Sequence, residues 1–213
     1  RPLLKHVIDT ACELAASDIH VVYGHGGERV REALAAENVT WALQAEQLGT
    51  GHAVQQAMPQ VPDHAQVLVL YADVPLITED TLRHLLTVAD AGTAVLAETL
   101  ADPTGYGRVL VDAQGFVQAI IEQKDADDAQ KAVKQINTGV VCAGAADLKR
   151  WLGALGNANA QGEYYLTDIF AMAARDGKPA KAAPCLSAGE ADGANDPVQL
   201  ATLERRYQLR QAE

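Results

Sequence analysis

The segment Val67-Leu68-Val69-Leu70-Tyr71-Ala72-Asp73-Val74-Pro75 ends an apolar run on a carboxylate. Such a run reads as a strand buried on both faces, as in parallel sheets. Ligands of open α/β sheets gather at the carboxyl ends of these strands. A carboxylate there suits a divalent metal and a phosphate; it equally suits capping the turn that opens at Val74-Pro75. A second cluster, Gln44-Ala45-Glu46-Gln47-Leu48-Gly49-Thr50-Gly51-His52, joins a strand to a helix. Its glycines allow close approach of a ligand, and the helix start behind them favours anions. Its two glutamines present donors and acceptors that match a nucleobase edge. The alternative is a plain turn with Thr50 as the helix cap.

Asp102-Pro103-Thr104-Gly105-Tyr106-Gly107-Arg108 spaces two glycines around a tyrosine, which suits a sugar or an ordinary turn. Glu122 sits at a strand end. Asn137 lies within a strand run, where asparagine is unfavourable without a partner. Asn195 precedes a helix, where asparagine is commonly a turn residue. Gly24-His25-Gly26-Gly27-Glu28 lacks the spacing of a phosphate loop and reads as a tight turn.

Alternating elements must position these residues. Helices are expected over 2–16, 28–36, 52–58, 79–89, 125–133, 145–155 and 166–175, and from Pro197 onward. Strands are expected over 19–23, 39–43, 93–99, 108–111, 116–122, 136–142 and 178–185, besides the one ending at Asp73. The pattern predicts an α/β, Rossmann-like, doubly wound and mostly parallel sheet, with a small hairpin turning at Asp112-Ala113-Gln114-Gly115. Asp196-Pro197 has the form of a helix cap followed by proline at the first position. The opening on a helix is unusual for a doubly wound sheet, which normally starts with a strand and a phosphate loop, so the first βα unit is expected to be absent.

At 213 residues, 48% hydrophobic and 21% charged, the chain has the composition of one large globular domain. No apolar stretch reaches membrane-spanning length. The net charge of −11 argues against nucleic acid and anionic membrane as partners. Cys12, Cys142 and Cys185 lie far apart among small or apolar neighbours; buried reduced thiols and a cytoplasmic setting are expected. His6, His20 and His52 form no ligand motif.

Taken in order, the clusters at 43–53, 70–76 and 102–108, with Ile136-Asn137-Thr138-Gly139 and Gln161-Gly162-Glu163-Tyr164-Tyr165-Leu166-Thr167-Asp168, form a set. The set closely resembles the N-terminal uridylyltransferase domain of the bacterial bifunctional N-acetylglucosamine-1-phosphate uridylyltransferase/glucosamine-1-phosphate acetyltransferase family. The resemblance spans essentially residues 1–213, as one domain truncated at its N-terminus. It implies Mg²⁺-dependent transfer of UMP from UTP to N-acetylglucosamine 1-phosphate. The products are UDP-N-acetylglucosamine, a precursor of peptidoglycan and lipopolysaccharide, and pyrophosphate.

It further implies that Asp73 and Asn195 are the catalytic metal ligands. Gln44, Gln47, Gly49, Thr50, Tyr71 and Ala72 would bind the nucleotide together with Asp73. Gly107, Glu122, Asn137, Glu163 and Thr167 would bind the sugar. The family's opening Leu-Ala-Ala-Gly-x-Gly-Thr-Arg-Met stretch and its acetyltransferase β-helix, on which a homotrimer would depend, are not present in the sequence. Without the opening loop's cations, weak nucleotide binding and poor turnover are expected. Rival readings are a nucleotidylyltransferase for another sugar phosphate and an inactive module that binds sugar nucleotide.

Overall fold

The computed structural model describes residues 2–212. Helix α1 (Leu3–Glu13) leads through β1 (His20–Tyr23), α2 (Glu28–Ala33) and β2 (Thr40–Leu43) into α3 (Thr50–Ala57), a short 3₁₀ turn and β3 (Gln66–Val69). Helix α4 (Glu79–Ala89), β4 (Ala94–Thr99) and the hairpin β5 (Arg108–Val111) and β6 (Phe116–Ile121) follow. Then come α5 (Asp128–Lys131), β7 (Gln135–Gly144), α6 (Ala145–Gly153), α7 (Asp168–Arg175), β8 (Ala180–Pro184) and α8 (Pro197–Gln211).

The strands form two sheets. β1 and β2 pair in parallel, and the other six lie in the order β3-β7-β4-β8-β6-β5, with β7 also meeting β5. The doubly wound α/β reading holds, but the larger sheet is mixed. β7 runs antiparallel between β3 and β4, and β6 runs antiparallel to β8. Hydrophobic pattern identifies a strand without giving its direction, which is why β7 was not distinguishable in sequence.

Alternation along the central strands supplies two cores. Val95, Ala97, Val141 and Ala143 face α6 and α7, packing on Leu148, Trp151, Ile169 and Phe170. Leu96, Val140 and Cys142 face the other way, onto Leu82 and Leu85 of α4. Leu82 and Leu85 are fully buried, and each such side chain stabilises the fold by about 1.5–3 kcal/mol. The sheet is therefore covered on both faces, as the continuous apolar runs require.

A smaller cluster joins Ile8 of α1 to Val21 of β1 and Leu34. Between β1 and β3, which belong to different sheets, lies a cavity of about 430 Å³.

Several boundaries differ from expectation. Pro2 is the residue before α1 rather than within its first turn. α2 stops at Ala33, and α7 starts at Asp168. The hairpin turn is as expected: Asp112 Oδ1 accepts from the N–H groups of Gln114 and Phe116 at 2.9 Å each, with Gly115 at φ +85°. Asp196 caps α8 through the N–H groups of Val198 and Gln199, both at 2.8 Å. Of the cysteines, Cys142 is buried and Cys185 half-buried, whereas Cys12 is exposed, so burial of all three is corrected. Cys12 falls on the outer side of α1, a side that small neighbours do not reveal.

Candidate functional site

β3 ends at Val69, four residues before Asp73. The chain then turns, with Val74 N–H donating to the Tyr71 carbonyl at 3.2 Å. Tyr71, Ala72 and Asp73 thus lie on the loop beyond the carboxyl end of β3 rather than on the strand. Asp73 caps no helix; α4 is capped by Thr78, whose hydroxyl accepts from Thr81 N–H.

The loop ahead of α8 closes over this point. Ala194 N–H donates to the Asp73 carbonyl at 3.1 Å, and a Cβ on Gly193 would stand 3.1 Å from Asp73 Oδ2. Asn195, the next residue, is exposed beside the same carboxylate loop, and its N–H donates to Gln199 Oε1 at 2.7 Å. The loop is tied down from below. Glu190, with no exposed surface, accepts from Thr78 Oγ1, Thr81 Oγ1 and the N–H groups of Leu186 and Ser187, all within 3.0 Å. Arg206 of α8 pairs with Asp192.

On the opposite flank, the turn between β2 and α3 is braced internally. Gln44 is buried and donates through Nε2 to the Gly49 carbonyl at 3.1 Å, with His52 Nδ1 also at 3.1 Å. Gln47 donates to the Gln44 carbonyl at 3.0 Å and lies against Gly24. Gly49 has φ +111°, and a Cβ there would come within 2.7 Å of the Tyr164 carbonyl and 2.9 Å of Glu163 Cβ. Glycine is required for this approach. Thr50 is the first helical residue rather than the cap. Its hydroxyl accepts from Leu166 N–H at 3.0 Å and hydrogen-bonds Tyr71. The 44–50 turn, the 163–167 segment and Tyr71 therefore meet.

The remaining wall joins the hairpin to β7. Thr167, buried, donates to Glu122 Oε1 at 2.9 Å, while Glu122 Oε2 lies over Gly107. Asn137 N–H donates to the Gly107 carbonyl at 2.9 Å, and Asn137 Oδ1 accepts from Gly139 N–H at 2.9 Å. That is the partner an asparagine inside a strand needs. Burial raises the Glu122 pKa above the ordinary glutamate value against the Thr167 hydrogen bond, and Asp125 and Asp168 raise it further. Burial, with the charges of Glu122 and Asp73, pushes the Tyr71 hydroxyl up to about 12 despite its bond to Thr50. Tyr71 is thus a neutral hydrogen-bonding group at physiological pH.

Two bracing roles were not legible in the sequence. Arg108 is 1% exposed and donates to the carbonyls of Tyr106 and Lys131 and to Gln123 Oε1, which fixes the Gly105–Gly107 loop. At the start of a short strand, it reads as a surface residue. Glu190, in a run of small residues, reads as a solvated loop. Among the described residues, no group of three histidine, cysteine, aspartate or glutamate side chains could cage a metal. No helix of the described residues is long and apolar enough to cross a membrane.

The segments at 44–50, 71–73, 163–167 and 193–195, with Gly107, Glu122 and residues 137–139, are thus linked to one another beyond the end of β3. The chain is 61% identical over 212 residues to the bifunctional protein GlmU of Stenotrophomonas maltophilia strain K279a, covering 99% of this chain and 46% of that protein. It is 56% identical over 213 residues to the namesake of Xanthomonas oryzae pv. oryzae strain MAFF 311018, covering 100% of this chain and 47% of that one. The chain spans about half the length of the curated relatives it matches, and the matching part is their N-terminal half.

A crystal structure of UDP-glucose pyrophosphorylase complexed with UDP-glucose shares the fold at a TM-score of 0.70 and 15% identity, over 96% of this chain and 88% of that one. The two chains thus share one architecture. Residues 1–138, which hold the 44–50 turn, Asp73, Glu122 and Asn137, match the MobA-like NTP transferase domain, and the chain belongs to that family of nucleotidyltransferases.

Proposed function

We propose that the domain transfers the uridylyl group of UTP to N-acetylglucosamine 1-phosphate. The observation that carries this reading is the gathering of the nucleotide-type turn at Gln44–Thr50, the Asp73 carboxylate and the Gly107–Glu122–Asn137–Thr167 wall around a single point beyond β3.

The acceptor phosphate is already an anion near neutral pH, so no side chain has to create the nucleophile. One of its oxygens bonds to the α-phosphorus of UTP, and the bond from that phosphorus to the β,γ-diphosphate breaks, releasing pyrophosphate. The protein's work is to align two polyanions. Asp73 and Asn195 offer oxygen donors from two touching loops, a hard donor set that fits Mg²⁺ with phosphates and water completing its shell. A bound cation of this kind supplies neutralisation of the phosphate charge.

Gln47 and the backbone at Gly49 and Thr50 face the base. Gln44, its Nε2 engaged internally, shapes that turn, while Tyr71 and Ala72 line the nucleotide. Glu122 accepts from sugar hydroxyls beside Gly107 and Asn137, with Thr167 holding its orientation and Glu163 flanking the entrance. In a protein of the relatives' full length, this domain stands beside a glucosamine-1-phosphate acetyltransferase half in a cytoplasmic trimer.

Equilibrium binding tests the reading. UDP-N-acetylglucosamine should bind about tenfold or more tightly than ADP-glucose in the presence of Mg²⁺, a difference of about 1.4 kcal/mol or more. Asp73→Asn should remove the Mg²⁺-dependent part. Equal affinity for the two sugar nucleotides would sink the uridylyl assignment, and binding without pyrophosphate release from the substrates would select a binding module.

A further inference from the structure

We propose that His52 is a positioning residue for base recognition: its ring holds the Gln44 amide so that Gln44 Oε1 faces the nucleobase as an acceptor, which selects uracil over cytosine. The role deepens the uridylyl reading of this site and rests on it. Gln44 follows β2 directly, and all but one of its hydrogen-bonding atoms are engaged within the protein. Its N–H donates to the Tyr23 carbonyl at 2.8 Å, and its carbonyl accepts from Gln47 Nε2 at 3.0 Å. Its own Nε2 lies 3.1 Å from the Gly49 carbonyl and 3.1 Å from His52 Nδ1.

These two acceptors decide which way the amide points. A carbonyl oxygen can only accept, so the Gln44 atom beside Gly49 is the nitrogen. The second hydrogen of Nε2 is then taken by His52 Nδ1, which must be bare, with the ring proton on the other nitrogen. Gly49 alone would leave the amide free to swing about a single hydrogen bond. His52 supplies the second point that sets its plane. The ring is itself supported: it belongs to the first turn of α3, and its centroid lies 6.3 Å from that of Tyr164.

Oε1 is the atom that remains. Gln44 is buried, yet Oε1 is open, because the one enclosed side-chain nitrogen or oxygen without a partner among the described residues is His20 Nδ1. The start of α3, beside it at Gly49 and Thr50, presents backbone N–H donors. An acceptor beside amide donors matches the edge of uracil, where N3–H lies beside carbonyl oxygens. Cytosine sets a bare N3 there, so that two acceptors face each other. A site built to receive a hydrogen bond rejects an analogue that lacks the donor.

Titrations of the 213-residue chain with UTP and with CTP, in Mg²⁺ and followed by NMR, test the role. The parent should prefer UTP. His52→Phe keeps a ring against Tyr164 but has no acceptor, and it should lower that preference about fivefold or more. His52→Asn, whose Oδ1 takes the place of Nδ1, should restore most of it. A parent that binds both nucleotides equally would remove the uridylyl reading and this role together. A parent that prefers UTP, with His52→Phe keeping the full ratio, would overturn this role alone, as would a lost ratio that His52→Asn does not restore. A further readout needs neither ligand nor variant. Long-range ¹H–¹⁵N spectra of the parent should show the neutral His52 ring protonated on Nε2, and a proton on Nδ1 would overturn the proposal.

Discussion

Gly139 and Tyr71 show how closely the site is fitted at the level of single residues. Gly139 has φ +89°, and a Cβ there would stand 2.7 Å from the Tyr71 ring. Gly139→Ala combines backbone strain with displacement of the ring, and it should lower stability by about 1–3 kcal/mol in urea unfolding. A change below a few tenths would mean that the ring moves freely. Glu122 offers a second test. Its folded pKa is raised above the ordinary glutamate value, first by burial. The linked stability is therefore fully present below that value and lost as pH rises through the folded pKa. Glu122→Gln carries no charge to desolvate and keeps an acceptor for Thr167. Its melting temperature should exceed that of the parent at pH 7 and match it near pH 4. A gap that persists in acid would rule out desolvation as the cause.

At the scale of elements, the candidate site depends on loops more than on the strands that carry them. Glu190 joins the 186–190 loop to the start of α4 through two accepted hydrogen bonds, from Thr78 and Thr81, and accepts two more from the loop's own amides at Leu186 and Ser187. Glu190→Ala leaves those donors unmatched in the interior and should cost about 3 kcal/mol. The Ala194 amide, bonded to the Asp73 carbonyl, should then exchange faster while β4 and β8 stay protected; unchanged exchange at Ala194 would separate the brace from the site. The sequence made the helices and strands legible because both periods are local, and it located the Gln44–Thr50 turn and Asp73. Three residues separate β3 from Asp73, and the turn that re-aims the carboxylate is held both by the Val74 amide and by the 193–195 loop, the latter a contact across the fold. The antiparallel course of β7 and the burial of Arg108 and Glu190 are likewise settled by partners far away in sequence, and no local pattern encodes them.

For the whole molecule, charge governs the approach of the ligand. The chain carries −11 at neutral pH, and much of its cationic charge is already engaged. Lys5, Arg83, Lys149, Arg150, Lys178 and Arg206 each pair with a carboxylate. Arg108, beside the site, is buried against carbonyl oxygens. A nucleoside triphosphate thus meets a repulsive field at long range, one that local contacts and a bound cation offset only at close range. Salt screens the first and barely touches the second, since the Debye length falls from about 30 Å at 0.01 M to about 10 Å at 0.1 M. Raising monovalent salt across that interval at fixed Mg²⁺ should speed UTP association about two- to fivefold in stopped-flow measurements, with the dissociation rate nearly constant. A rate that falls with salt would reveal an attractive field at the mouth of the site, and the net charge would then say nothing about how substrate arrives.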